Sequence, residues 1–193
     1  MTDWPAYYLD IVARLAEVGR GLSPDQAEVR VPATPEWTVR QVYAHLAGGT
    51  SDALSGRMDG APGPTWTGRH VAERAVSSMA ELIAELQATA PAAAPTLAEA
   101  RFPALAFDRA VHFADIHEAL GLGEPDPDAW EPVLEAMQDR LTALEGTSVG
   151  DYEAFRIAFS RRSLAQIEAL GVPADVAPTL GLFGPREDDQ PRP

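Results

Sequence analysis

The sequence predicts an all-α protein: a four-helix bundle with long crossover connections and a small helical extension at its C-terminal end. Three observations predict it. Apolar residues recur at helical spacing in about six segments. Stretches rich in Pro and Gly separate those segments. No segment alternates convincingly with a period of two, and only Val29 to Pro32 is short and extended enough for a strand.

The first segment, Trp4 to Gly21, spaces Tyr8, Ile11, Val12, Leu15 and Val18 as one helical face and ends at Gly19 and Gly21. A loop from Ser23 to Trp37 follows. Thr38 and Gln41 read as a capping box. The helix they open carries Val39, Val42, Tyr43 and Leu46 on one face, and Gly48, Gly49 and Gly56 weaken its end. Gly60 to Gly68 is a turn or loop. A helix is expected from about Arg69 to Gln87, then a stiff linker from Pro91 to Pro95. The next helix runs from about Ala98 to Leu120 with an interruption near Pro103. Pro125 to Asp128 is a strong break. Helices from Trp130 to Leu144 and from Tyr152 to Leu170 complete the pattern, the second carrying Phe155, Phe159, Leu164 and Ile167.

The expected division is a bundle core over 1–124, a helical extension packed on it over 125–185, and a disordered tail over 186–193. The 15 Lys and Arg against 29 Asp and Glu give a net charge of -14, which opposes binding to a phosphate backbone. There is no apolar run of about 18 residues, so no membrane span is expected. The N-terminus lacks the basic and apolar parts of a signal peptide, so the default location is the cytoplasm. The chain has no Cys, so any thiol used in chemistry must come from outside it. A monomer or a homodimer fits the pattern.

The stripe Asp108, His112, Asp115 carries the chemistry. At ~100° per residue these positions fall within roughly 60° of each other on one face. That face is shared by Leu105, Val111 and Ala119, so two carboxylates and an imidazole point toward the core, where they are costly without a partner. His117 lies about 180° from Asp108 and should face water; His70 is expected at the surface or an edge. His45, at the edge of the apolar face opened by Thr38, is a second inward imidazole. Two His and one carboxylate leave open positions on a divalent ion, the pattern of catalytic zinc, and nickel or iron also suit such ligands. Asp115 would fix an imidazole tautomer from behind. The same spacing also occurs in hydrogen-bonded core pairs with no metal, and Asp108 is able simply to pair with an Arg.

Three segments carry a resemblance. Pro35-Glu-Trp-Thr-Val-Arg-Gln-Val-Tyr-Ala-His-Leu-Ala47 resembles the Pro-Gly-Trp-Thr-Val…Ala-His-Leu segment of the mycothiol-dependent maleylpyruvate isomerase family, part of the DinB/YfiT-like superfamily of metal-binding helical bundles. Phe107-Asp-Arg-Ala-Val-His-Phe-Ala-Asp-Ile-His-Glu-Ala-Leu-Gly121 resembles the family's second segment. Tyr152 to Arg156, Ser160-Arg-Arg-Ser163, Gln166 and Leu182-Phe-Gly-Pro185 resemble its actinobacterial ending. Glu36 and Ser160 stand where the family usually has Gly, and Asp108 where the best-known isomerase has Glu.

The resemblance implies a metal held by His45, Asp108 and His112, with zinc first and nickel or iron as alternatives. It implies mycothiol as the external thiol and a small electrophilic substrate, turned over by isomerisation or S-transfer. Arg156, Arg161 and Arg162 are candidates for gripping a carboxylate of cofactor or substrate. Their alternative is pairing with the chain's many acids on a solvated face. The alternative for the whole chain is a DinB-like metal- or ligand-binding module without turnover. An open metal position beside a cleft favours the enzyme, and closure by Asp115 favours the module.

Overall fold

The computed structural model describes residues 2–100 and 102–193. Met1 and Arg101, which fall within the expected core domain and the expected 98–120 helix, lie outside the described residues. The chain forms two compact units, residues 1–120 and 121–193.

The first unit begins with α1 (Trp4–Gly21), capped by Asp3, whose side chain accepts from the Ala6 N–H. The expected loop that follows contains α2 (Pro24–Ala27) and a small antiparallel hairpin, β1 (Arg30–Val31) with β2 (Thr34–Thr38). Then come α3 (Val39–Ser55), α4 (Pro64–Glu73), α5 (Met79–Ala93), a 3-10 turn over Ala94–Leu97, and α6 (Ala104–Leu120). The long helices α5 and α6 each pack on both α1 and α3, so the connection from α1 to α3 is a crossover. Tyr8, Ile11, Leu15, Tyr43, Leu46, Leu82 and Leu86 fill the space between them, and the Tyr43 hydroxyl donates to the Leu15 carbonyl at 2.6 Å. At Gly19 a Cβ would come within 2.8 Å of Ile83 and 3.0 Å of Tyr43, so that glycine sets how closely α1 meets its neighbours.

The helix expected over 69–87 is two helices. Ser78 accepts from the Glu81 N–H and Glu81 accepts from the Ser78 N–H, a capping box that restarts the chain as α5. The linker expected from Pro91 is the last turn of α5 and the 3-10 turn.

The second unit contains a 3-10 turn over Pro127–Ala129, α7 (Glu131–Ala136), 3-10 turns over Gln138–Arg140 and Thr142–Leu144, α8 (Asp151–Ala158), α9 (Leu164–Ala169) and α10 (Ala177–Leu180). Trp130 anchors its interior, with ring centroids 5.4 Å from Tyr152 and 6.0 Å from Phe155. The helix expected over 130–144 stops at Ala136. Beyond it the Arg140 guanidinium is bonded to the Leu180 and Gly181 carbonyls, both at 3.1 Å, a tertiary contact that outweighs local helix preference. The helix expected over 152–170 breaks at Ser160, whose φ of 60° is left-handed, and Ser163 caps a new start with Gln166. The tail, expected to be disordered, differs in the structure. Gln190 is buried, its N–H donates to Gln166 Oε1 at 3.0 Å, and Asp189 bonds the Ser163 hydroxyl.

Candidate metal centre

Thr38 fixes the start of α3. Its hydroxyl accepts from the Gln41 N–H at 3.4 Å and Gln41 Oε1 accepts from the Thr38 N–H at 2.8 Å. That start places His45 two turns in, facing α6. On α6, Asp108 and His112 share one face at i and i+4. One ligand atom from each of His45, Asp108 and His112 lies within 4.8 Å of the others. Asp108 Oδ1 is 3.3 Å from His45 Nε2 and 3.6 Å from His112 Nε2. Both imidazoles are buried, whereas the Asp108 side chain keeps 32% of its surface.

The other Asp108 oxygen is occupied. Oδ2 accepts from Arg109 Nη1 at 2.6 Å. Arg109 is itself buried, and its Nη2 donates to the Leu46 carbonyl and to Thr50 Oγ1, both at 2.5 Å. The expectation that Asp108 pairs with an Arg therefore holds for one oxygen and leaves the other facing two imidazoles. Burial alone would raise the Asp108 carboxyl, but the neighbouring His45, His112 and Arg109 hold it well below the usual carboxylate range. Burial holds His45 below the usual imidazole range, against the pull of Asp108, so it is neutral and able to ligate.

Asp115 sits where the stripe predicts, fully buried, with Oδ2 3.0 Å from His112 Nδ1. The pair does not meet hydrogen-bond geometry, so the contact is electrostatic rather than an aligned hydrogen bond. Asp115 stands behind His112, outside the ligand group. His117 is half-buried, its ring 4.5 Å from that of Phe113, rather than open to water.

His70 is the largest departure from the sequence reading. It is fully buried, not at an edge. Its Nδ1 is 3.2 Å from His45 Nδ1 and its Nε2 is 3.0 Å from Asp52 Oδ2. The signal was present in Gly48 and Gly49. A Cβ on Gly48 would stand 2.5 Å from His70 Cβ, so α3 is cut away where α4 brings this ring in. Asp52, which no motif in the sequence singles out, is also buried and bonded to Arg69.

Two tryptophans close the imidazoles from outside. The Trp37 ring centroid is 5.1 Å from His45 and 6.5 Å from His112, and that of Trp66 is 4.3 Å from His70. On the open side, Asp108 and Arg109 line a cleft of about 350 Å³ whose other walls include Ala53, Met58, Pro62 and Leu105.

With this geometry in view, comparison with protein families gives one match: the mycothiol maleylpyruvate isomerase N-terminal domain, over residues 8–137. The chain belongs to this family. Comparison with the curated proteins and with the solved structures returns no match. Membership of the maleylpyruvate isomerase family supports a mycothiol-related, enzyme-like function, and the matched span holds every residue of the centre described above. Among the described residues no helix is long and apolar enough to cross a membrane.

Arg156, Arg161 and Arg162 lie outside the matched span, in the second unit. Arg156 and Arg162 are fully buried rather than on a solvated face. Arg162 is engaged by Glu153 through Nε at 2.7 Å and Nη2 at 3.1 Å. Arg161 is half-buried and donates to the Phe159 carbonyl at 2.9 Å. Of the departures from the family pattern, Glu36 takes an ordinary φ, whereas Ser160 adopts the left-handed region that glycine favours.

Proposed function

We propose that this chain is a mycothiol-dependent metalloenzyme, an isomerase or S-transferase acting on a small electrophile, with a divalent ion held by His45, Asp108 and His112. Zinc is the first candidate, and nickel or iron suit the same donors. The observation that carries the reading is the convergence of these three donors beside a cleft, with no fourth His or acid joining the group among the described residues. Three protein ligands leave a coordination position for an incoming group. When bound, the ion supplies the positive charge that lowers a thiol's pKa and holds it as a thiolate at neutral pH.

The chain's own residues do the rest. His45 approaches as a neutral ligand, and Asp108 brings one negative charge that Arg109 shares. Trp37 and Trp66 cover the imidazoles and keep water from them, which strengthens each electrostatic contact inside. The cleft walls formed by Met58, Pro62, Trp66 and Leu105 suit the apolar body of an electrophile. Isomerisation and S-transfer ask the same of these residues, so the site supports both classes equally. Asp115 is proposed to steady His112 from behind, consistent with its 3.0 Å approach.

Arg156, Arg161 and Arg162 are proposed as the cofactor's anion grip. Arg161 is the first to test, because it is half-buried whereas Arg156 and Arg162 are fully buried. The same reading puts the protein in the cytoplasm, as a monomer or homodimer, with a small-molecule substrate and a low-molecular-weight thiol as partners and no nucleic acid.

The test is consumption of a panel of small electrophiles with and without mycothiol, before and after chelation. The reading expects turnover that needs both thiol and metal. Tight ligand binding with no turnover across the panel would replace it with the non-catalytic module.

A further inference from the structure

A continuous line of contacts runs from Asp52 through His70 to His45. His70 Nε2 faces Asp52 Oδ2 at 3.0 Å, His70 Nδ1 faces His45 Nδ1 at 3.2 Å, and His45 Nε2 faces Asp108 Oδ1 at 3.3 Å. A neutral imidazole has one N–H and one lone pair, so each contact constrains the next.

The deep end decides the order. The Asp52 carboxylate only accepts, and it already accepts from Arg69. His70 therefore carries its hydrogen on Nε2 and donates to Asp52. Its Nδ1 is then an acceptor, so His45 must donate from Nδ1. That leaves His45 Nε2 as a lone pair facing Asp108 Oδ1. The opposite order sets a lone pair of His70 against Asp52. The Asp52 side chain is only 3% exposed against 32% for Asp108, so an acceptor-acceptor clash costs more there.

The fold makes room for this line at a cost to α3. Gly48 is a poor helix residue, and its missing Cβ is what lets His70 approach. Trp66, one turn before His70 on α4, packs edge-on against the ring with a centroid separation of 4.3 Å.

We propose that Asp52 and His70 are a positioning pair that locks His45 in its Nδ1–H tautomer and so aims the Nε2 lone pair at the metal position. Two acceptors facing one point, His45 Nε2 and Asp108 Oδ1, are then set for a cation rather than for each other. The tautomer claim stands on the metal-free protein, and only its consequence for affinity rests on the metal reading above.

The test uses the whole chain with nitrogen-15-labelled histidine, and two variants. In metal-free wild type, long-range proton–nitrogen spectra at mildly alkaline pH are expected to show His45 protonated on Nδ1 and His70 on Nε2. His45 found protonated on Nε2 overturns the proposal, whether or not any metal binds. His70→Leu, which keeps bulk but removes both contacts, is expected to weaken zinc binding by about ten- to a hundred-fold in chelator competition. His70→Gln, able to donate to Asp52 and accept from His45, is expected to recover most of that loss. Equal zinc affinity in His70→Leu and wild type overturns the proposal. A wild type that binds no zinc refutes the metal reading and leaves the tautomer result to decide this one. If His70→Leu does not fold, the wild-type spectra and His70→Gln carry the test.

Discussion

Gly48 and Gly49 are adjacent in α3, yet alanine should have opposite effects at the two. At Gly48 a Cβ would lie 2.5 Å from His70 Cβ, 2.6 Å from Cγ and 2.8 Å from Cδ2. These atoms sit at the root of a buried ring, so no flexible tip can swing away. Ordinary contact begins near 3.4 Å, which requires α4 to retreat by about 1 Å. Overpacking of that kind costs about 1–3 kcal/mol, and alanine returns about 1 kcal/mol of helix preference. The net for Gly48→Ala is a loss of up to about 2 kcal/mol, or up to about 6 °C in Tm at ~3 °C per kcal/mol. At Gly49 the nearest atoms, Trp66 Cη2 and His70 Cε1, are 3.6 and 3.8 Å away, ordinary contact distances. Gly49→Ala should therefore gain about 0.5–1 kcal/mol. Urea and thermal unfolding of the two metal-free variants beside the parent is the assay. The two substitutions moving stability in the same direction by the same amount would refute the close approach of His70 to α3.

Other consequences follow from single contacts. Arg109→Met should destabilise by about 2–4 kcal/mol in urea unfolding, because it strips donors from Asp108, the Leu46 carbonyl and Thr50 at once; a loss below about 1 kcal/mol would mean those groups find other partners. Glu85 is bonded through both oxygens to Arg74, which with a Ser51 contact outweighs burial and keeps its carboxyl below the ordinary 4.5. A lowered folded-state pKa means that its stabilisation is complete above pH 4.5 and fades as the pH falls through the folded value. Glu85→Gln should thus cost about 1 kcal/mol at neutral pH and progressively less in acid; a gap that widens on acidification would reverse the sign. Ser160→Ala keeps the positive φ and loses the hydroxyl that accepts from the Phe183 N–H at 2.9 Å, a cost of about 1 kcal/mol. Ser160→Gly loses the same bond but relieves about 1 kcal/mol of backbone strain, so it should unfold within about 0.5 kcal/mol of the parent.

Much of the centre was legible because its logic is local. Asp108, His112 and Asp115 lie on one helix, and their spacing alone predicts a shared face. Thr38 and Gln41 announce the helix that carries His45. What escaped depends on contact between helices. His70 looks like an edge residue on a short polar helix, and its burial follows only from the notch at Gly48. Asp52 is a buried acid on α3 whose need appears only once Arg69 and His70 are beside it. The break before α5 was readable in Ser78 and Glu81 but was masked by the apolar spacing that runs on through Met79 and Leu82. The break at Ser160 was harder, since nothing local marks a serine as left-handed. Arg109 was hidden by chemistry rather than distance: a buried guanidinium is plausible only when a carboxylate, a carbonyl and a hydroxyl converge on it, as here.

The proposed function stands or falls on whether His45, Asp108 and His112 hold a divalent ion. Plasma mass spectrometry of the untagged protein, beside His45→Ala, Asp108→Ala, His112→Ala and His117→Ala, tests it most directly. About one divalent ion per chain is expected, lost in the first three variants and retained in His117→Ala. No metal in the parent after incubation with zinc or nickel, or full metal retained in His112→Ala, would contradict it.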